Sequence, residues 1–151
     1  HRDLHSFPTR RSSDLIKVFS SFHRRVLILS KGRLMNSLLG LDMLLLVTRG
    51  RKSGRLRSIP LLYLKDTSNS FLCVASFGGS PTHPDWYWNV YAAKAVTMQV
   101  GVETISATPH ILVGKERCEA WRKLIDYYPA FGKYQRNTDR EIPVIKFVVI
   151  D

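Results

Sequence analysis

The sequence predicts an α+β domain: a small barrel or half-barrel of about six mostly antiparallel strands with flanking helices. Three observations predict it. Short apolar runs follow one another with only tight turns between them, which favours antiparallel neighbours. Strands and helices do not alternate strictly, which argues against a doubly wound parallel sheet. One stretch, 115–128, carries a clear helical stripe of Cys118, Trp121, Leu124, Ile125 and Tyr128, with Glu116, Glu119, Lys123 and Asp126 opposite.

In chain order, residues 16–30 (IKVFSSFHRRVLILS) place Phe19, Phe22, Val26 and Leu29 on one helical face and Lys17, Arg24 and Arg25 on the other. Such a basic amphipathic helix suits an anionic membrane surface or the side of a domain. Gly32 is its expected C-cap. Residues 43–48 read as the first strand. Residues 58–64 form the second, at an edge because Pro60 cannot donate to a ladder. The stretch KDTSNS turns into a buried strand at 71–76, and FGGSPTHPD is a loop. Asp85 is the expected N-cap of a short helix that puts Trp86, Asn89 and Val90 on one side. Strands at 95–100 and 103–112, a helix ended by Pro129, and a last strand at 142–150 complete the series.

Residues 1–15 contain no apolar h-region of a secretory signal. From His5 they resemble the translation of a sequencing-library adapter, so the expected native domain spans 16–151. A hydrophobic content of 44% is ample for a core, and the net charge of +11 favours anionic partners. The two cysteines, Cys73 and Cys118, lack metal or redox spacing and read as reduced thiols of a cytoplasmic protein. No HxxxH or HExxH pair occurs, so no metal is expected. No apolar run approaches the ~20 residues that span a bilayer.

Two loops carry the chemistry. RGRKSGRLRSIP holds Arg49, Arg51, Lys52, Arg55 and Arg57 around Gly50 and Gly54, between two strands. It is neither a Walker A loop nor a GxGxxG turn. Flexible backbone with charge-assisted donors suits a phosphate or carboxylates, and equally nucleic acid. ASFGGSPTHPDWYWN combines backbone freedom with Ser76, Trp86 and Asn89, the parts a flat heteroaromatic ring needs; Trp86 and Trp88 could equally plug the barrel mouth. A third segment, YYPAFGKYQRNTDREIP, repeats Tyr128, Phe131 and Tyr134 at spacing three.

Taken together, LLLVTRGRKSGRLRSIPLLYL, ASFGGSPTHPDWYWNVYAAKAVTMQVG and YYPAFGKYQRNTDREIPV resemble successive signatures of the deazaflavin (F420)-dependent nitroreductase family, also called F420H2-dependent quinone reductases. The resemblance covers 31–149. It implies an FMN-binding split-barrel-like fold and the cofactor 8-hydroxy-5-deazaflavin, coenzyme F420, with FMN as the alternative. By similarity, Arg51, Lys52, Ser53, Gly54 and Arg57 contact its phosphate and polyglutamate tail. Pro60, Ser76, Trp86 and Asn89 line the ring, with the backbone of Ser76, Phe77, Gly78 and Gly79 close to it.

The activity implied is hydride transfer to a quinone, nitroaromatic or enone, with Tyr128 and Tyr134 as donors to the acceptor oxygen. Phe131 stands where nitro-drug-activating members carry tyrosine, which keeps the pocket wall but removes a donor and favours quinones. Phe77 stands where relatives carry lysine. A non-catalytic cofactor- or lipid-binding protein keeps the basic loop without turnover. A nucleic-acid module would use the aromatics for stacking, but no specific nucleic acid is expected. The expected location is cytoplasmic, peripheral on the inner membrane face through 16–30.

Overall fold

The computed structural model describes residues 42–150. The helix expected at 16–30, its Gly32 cap and the segment 1–15 lie outside the described residues. The strands are β1 (Met43–Arg49), β2 (Leu56–Leu62), β3 (Leu64–Thr67), β4 (Ser70–Val74), β5 (Val96–Val100), β6 (Glu103–Ile111) and β7 (Val144–Val149). The helices are α1 (Asp85–Tyr91), α2 (Gly114–Tyr127) and α3 (Ala130–Arg136), with a 3-10 turn at Phe77–Gly79.

All seven strands form one sheet in the order β2-β1-β5-β6-β7-β4-β3, and every pairing is antiparallel. Its two edge strands, β2 and β3, are consecutive in the chain, with Tyr63 alone between them. A single residue can link opposite edges only if the sheet curls back on itself, so the architecture is a split β-barrel. The sequence suggested six strands because 58–64 read as one run and KDTSNS as a turn. Instead the chain breaks at Tyr63, and Leu64–Thr67 pairs with β4. Only Ser68 and Asn69 make the turn, beside a contact of 2.7 Å between the hydroxyls of Thr67 and Ser70.

Pro60 sits opposite Leu45 on the edge strand, where the N–H it lacks has no ladder to serve. β1 lies between β2 and β5 in the sheet, and its residues from Leu44 to Thr48 are buried on both faces rather than alternating. Strand alternation sorts the remaining core. Cys73, Phe147 and Leu46 face one side, packed with Trp86 and Val90 of α1. Leu72, Val74 and Val144 face the other, packed with Leu124 of α2 and Phe131 of α3. Truncating a wholly buried ring such as Phe147 to alanine costs about 3–5 kcal/mol. Burial also pushes the Cys73 thiol far above its ordinary pKa, which leaves it inert.

Three details differ from the sequence reading. Asp85 lies inside the first turn of α1, Pro84 is the N-cap, and no side chain caps that end. Cys118 is exposed on the wet face of α2, because Ala120 and Leu124 take the buried stripe. α2 does end at Tyr127, just before Pro129, but Pro129 is also the N-cap of a further helix, α3, since its fixed φ suits a helix start. Among the described residues no helix is long and apolar enough to cross a membrane.

Candidate functional site

The hairpin between β1 and β2 places the cationic loop over the end of α1. The backbone N–H of Gly50 donates to the Arg55 carbonyl at 2.7 Å, and that of Gly54 to the Gly50 carbonyl at 2.8 Å. Gly54 has φ +71°, which a side chain would strain. Arg51 is the hinge of the contact with α1. Its backbone N–H and its Nη1 both donate to Asn89 Oδ1, at 3.1 and 3.2 Å, and Nη1 also donates to the Asp85 carbonyl at 3.4 Å. Asn89 is buried, and with its oxygen so occupied its amide N–H groups are the ones left to offer a ligand. Lys52, Arg55 and Arg57 have no ionic or hydrogen-bonded side-chain partner among the described residues and are exposed.

The glycine-rich turn forms a second wall. Phe77 adopts φ +45°, rare for a bulky residue and a form of local strain. Its ring is 59% exposed. Gly78 follows at φ +64° and lies open. Gly79 is held against α3: a Cβ there would meet the Tyr134 carbonyl oxygen at 2.7 Å, so only glycine allows this approach.

The third wall is α3. Helical spacing stacks Tyr128, at its threshold, with Phe131 and Tyr134; the rings meet edge to face at centroid distances of 4.9 and 6.5 Å. A hydrogen bond with Tyr134, aided by burial, raises the Tyr128 hydroxyl above its ordinary pKa of 10.0, so its proton is held more tightly than that of a free tyrosine.

These walls enclose one cleft of about 800 Å³, at the upper end of the ~300–1,000 Å³ usual for small-molecule sites. Of the residues singled out in the sequence, Arg51, Lys52, Ser53, Arg57, Ser76 and Phe77 line it, as do Gly78, Trp86, Asn89, Tyr128, Phe131 and Tyr134. Gly54, Pro60 and Gly79 do not. Gly54 shapes the hairpin, Gly79 packs on α3, and Pro60 is turned outward by the alternation that brings Ile59 and Leu61 inward. Trp88 also stays out; it is exposed, as is Tyr91, and packs against half-buried His83 and buried Tyr87.

Sequence reasoning missed the apolar wall of Ile59, Leu61, Leu62 and Val74, which reads as ordinary strand core. It also missed Arg140 and Gln135. Arg140 donates to the carbonyls of Ala75, Ser76 and Ser80, and Gln135 grips the Arg140 carbonyl and the Ile142 N–H. The carbonyls that Arg140 grips lie 60 to 65 residues away, too distant in sequence for a local pattern to reveal.

The cleft therefore joins apolar and aromatic walls to a rim of cations that, among the described residues, no carboxylate neutralises apart from the long Arg51–Asp85 pair at 3.9 Å. A flat ring carrying an anionic tail matches both parts, and the residues present fit coenzyme F420 in this respect.

Residues 20–149 match the F420H(2)-dependent quinone reductase family. F420H(2)-dependent quinone reductase Rv1261c of Mycobacterium tuberculosis is 34% identical over 109 residues, 68% of this chain and 70% of its own length. The solved F420-H2 dependent reductase FDR-A superposes with a TM-score of 0.64 at 38% identity, covering 70% of this chain and 93% of that one. The haem storage protein HutZ of Vibrio cholerae shares the fold alone, with a TM-score of 0.56 at 9% identity over 73% of this chain and 82% of its own. With its curled sheet, its cleft and the sequence match agreeing, the chain belongs to the F420H(2)-dependent quinone reductase family, whose cofactor is coenzyme F420.

Proposed function

We propose that the protein is an oxidoreductase that uses reduced F420 to reduce a quinone-like acceptor, with nitroaromatics and enones as slower ones. The observation that carries this reading is the union, in one cleft, of unneutralised cations from the β1–β2 hairpin with a tyrosine-bearing apolar wall. When bound, the reduced deazaflavin supplies the hydride. The chain's own residues do the rest.

Lys52 and Arg57 hold the anionic tail, while Ser53 and the Arg51 backbone shape the loop beneath it. Trp86, Ile59 and Leu61 exclude water from the ring, and the amide of Asn89 and the turn at Ser76–Gly78 fix its polar edge. Reduction of a quinone leaves negative charge on oxygen. A hydroxyl of the Tyr128–Tyr134 pair donates a proton or hydrogen bond there. Phe131 is buried between the two tyrosines and offers no hydroxyl, so an acceptor needing a third donor is handled poorly.

The test is a titration with reduced F420 followed by absorbance, with and without menadione. Tight binding and menadione-dependent oxidation are expected. Binding without oxidation by menadione or any other quinone would make the protein a carrier, and no binding would remove the cofactor from the reading.

A further inference from the structure

One half-buried cation serves the cleft without lining it. Arg140 lies in the loop between α3 and β7, and its guanidinium is spent entirely on the 75–83 segment. Its Nε donates to the Ser80 carbonyl at 2.7 Å, Nη2 to the Ser76 carbonyl at 2.7 Å, and Nη1 to the Ala75 carbonyl at 3.2 Å. Nη1 also lies 2.8 Å from His83 Nδ1, which accepts in the neutral ring. Gln135 in turn anchors Arg140: its amide donates to the Arg140 carbonyl at 2.8 Å and accepts from the Ile142 N–H at 2.9 Å.

We infer that Arg140 is a positioning residue for the cofactor-facing turn, and that this clamp holds Ser76–Gly79 in the shape that receives the ring. The inference rests on the function proposed above. The turn needs an external restraint. Phe77, Gly78 and Gly79 all sit at positive φ, and the turn's own hydrogen bonds are two: Gly79 N–H to the Ser76 carbonyl and Ser80 N–H to the Phe77 carbonyl. A planar fork spanning the carbonyls before and after the strained residues fixes both ends at once. Lysine has the charge but not the fork, so it cannot hold three separated carbonyls.

The test compares Arg140→Lys with Arg117→Lys. Arg117 also donates to a backbone carbonyl, that of Ile142 at 2.7 Å, and pairs with Glu141 at 3.3 Å, but it touches neither the 75–83 segment nor the cleft, so it controls for general loosening of the 140–142 loop. Two readouts are taken: amide hydrogen exchange of 76–80 without ligand, and the dissociation constant for F420. With Arg140→Lys the 76–80 amides are expected to exchange at least about tenfold faster and F420 to bind about tenfold more weakly. Arg117→Lys is expected to leave both within twofold, whatever each variant loses in melting temperature.

Unchanged exchange in Arg140→Lys would overturn the inference, and so would equal effects of the two variants. Faster exchange with unchanged F420 affinity would overturn its cofactor part. Failure of the wild-type protein to bind F420 would instead defeat the proposed function, with the exchange readout still judging the clamp.

Discussion

Cations occur in two settings on this domain. Around Asp66 they are paired: Lys123 and Lys146 approach its carboxylate at 3.1 and 3.3 Å, and Lys146 also meets Glu116 at 3.7 Å. On the β1–β2 hairpin, Lys52, Arg55 and Arg57 crowd together with no carboxylate among the described residues. The first arrangement is self-sufficient and contributes modestly to stability, because its outer members, Lys123 and Glu116, face solvent. The second stores mutual repulsion that an anion relieves, and it does so on the lip of an apolar cleft. Charge alone does not mark a site; unneutralised charge beside a cavity does.

The largest expected effect lies at the tyrosines. Tyr128→Phe combined with Tyr134→Phe removes both donors and should lower kcat for menadione by about 10²-fold, with F420 affinity nearly unchanged. Stopped-flow oxidation of the loaded enzyme checks this, and a loss confined to affinity would reassign the pair to binding. Because the Tyr128 pKa is raised above 10.0, kcat should show no alkaline loss from this group until the pH passes that value.

Next comes Phe131→Tyr, which adds a hydroxyl between two others. It should raise nitroaromatic turnover relative to menadione by a few-fold, on the order of one hydrogen bond; an unchanged ratio would show that the middle ring does not face the acceptor.

The smallest effect belongs to the paired cluster. Burial pushes the Asp66 carboxyl up, but hydrogen bonds and charge from Lys123 and Lys146 outweigh it and hold the pKa below 3.8. Its stabilisation is thus fully present above pH 3.8 and is lost as pH falls through the lower folded value. Asp66→Asn should cost about 1 kcal/mol at pH 7, less in acid, and leave F420 affinity untouched. A change in affinity would blur the contrast between the two clusters.

The same contrast explains what the sequence revealed. The basic loop, Ser76, Trp86 and Asn89 were legible because each sits in a short segment whose composition is unusual on its own. The strand count fell short because Leu64–Thr67 is polar and becomes a strand only by pairing with β4, which tertiary context decides. The α3 helix was hidden by Pro129, which can stop a helix or start one. Arg140 and Arg51 were the deeper gap. Arg140 lies 60 to 65 residues from the three carbonyls it clamps, and Arg51 proves to be partly a strut to Asn89 rather than a free cation.

The most direct test of this account is the affinity of F420 species with increasing polyglutamate tails, measured for the wild-type protein and for Lys52→Ala combined with Arg57→Ala. The account predicts that wild-type affinity rises with tail length and falls with salt. It also predicts that the double variant binds at least about tenfold more weakly and loses most of the dependence on length. Equal affinity across tail lengths in both proteins would contradict it, because the hairpin cations would then be holding something other than the cofactor's anionic tail.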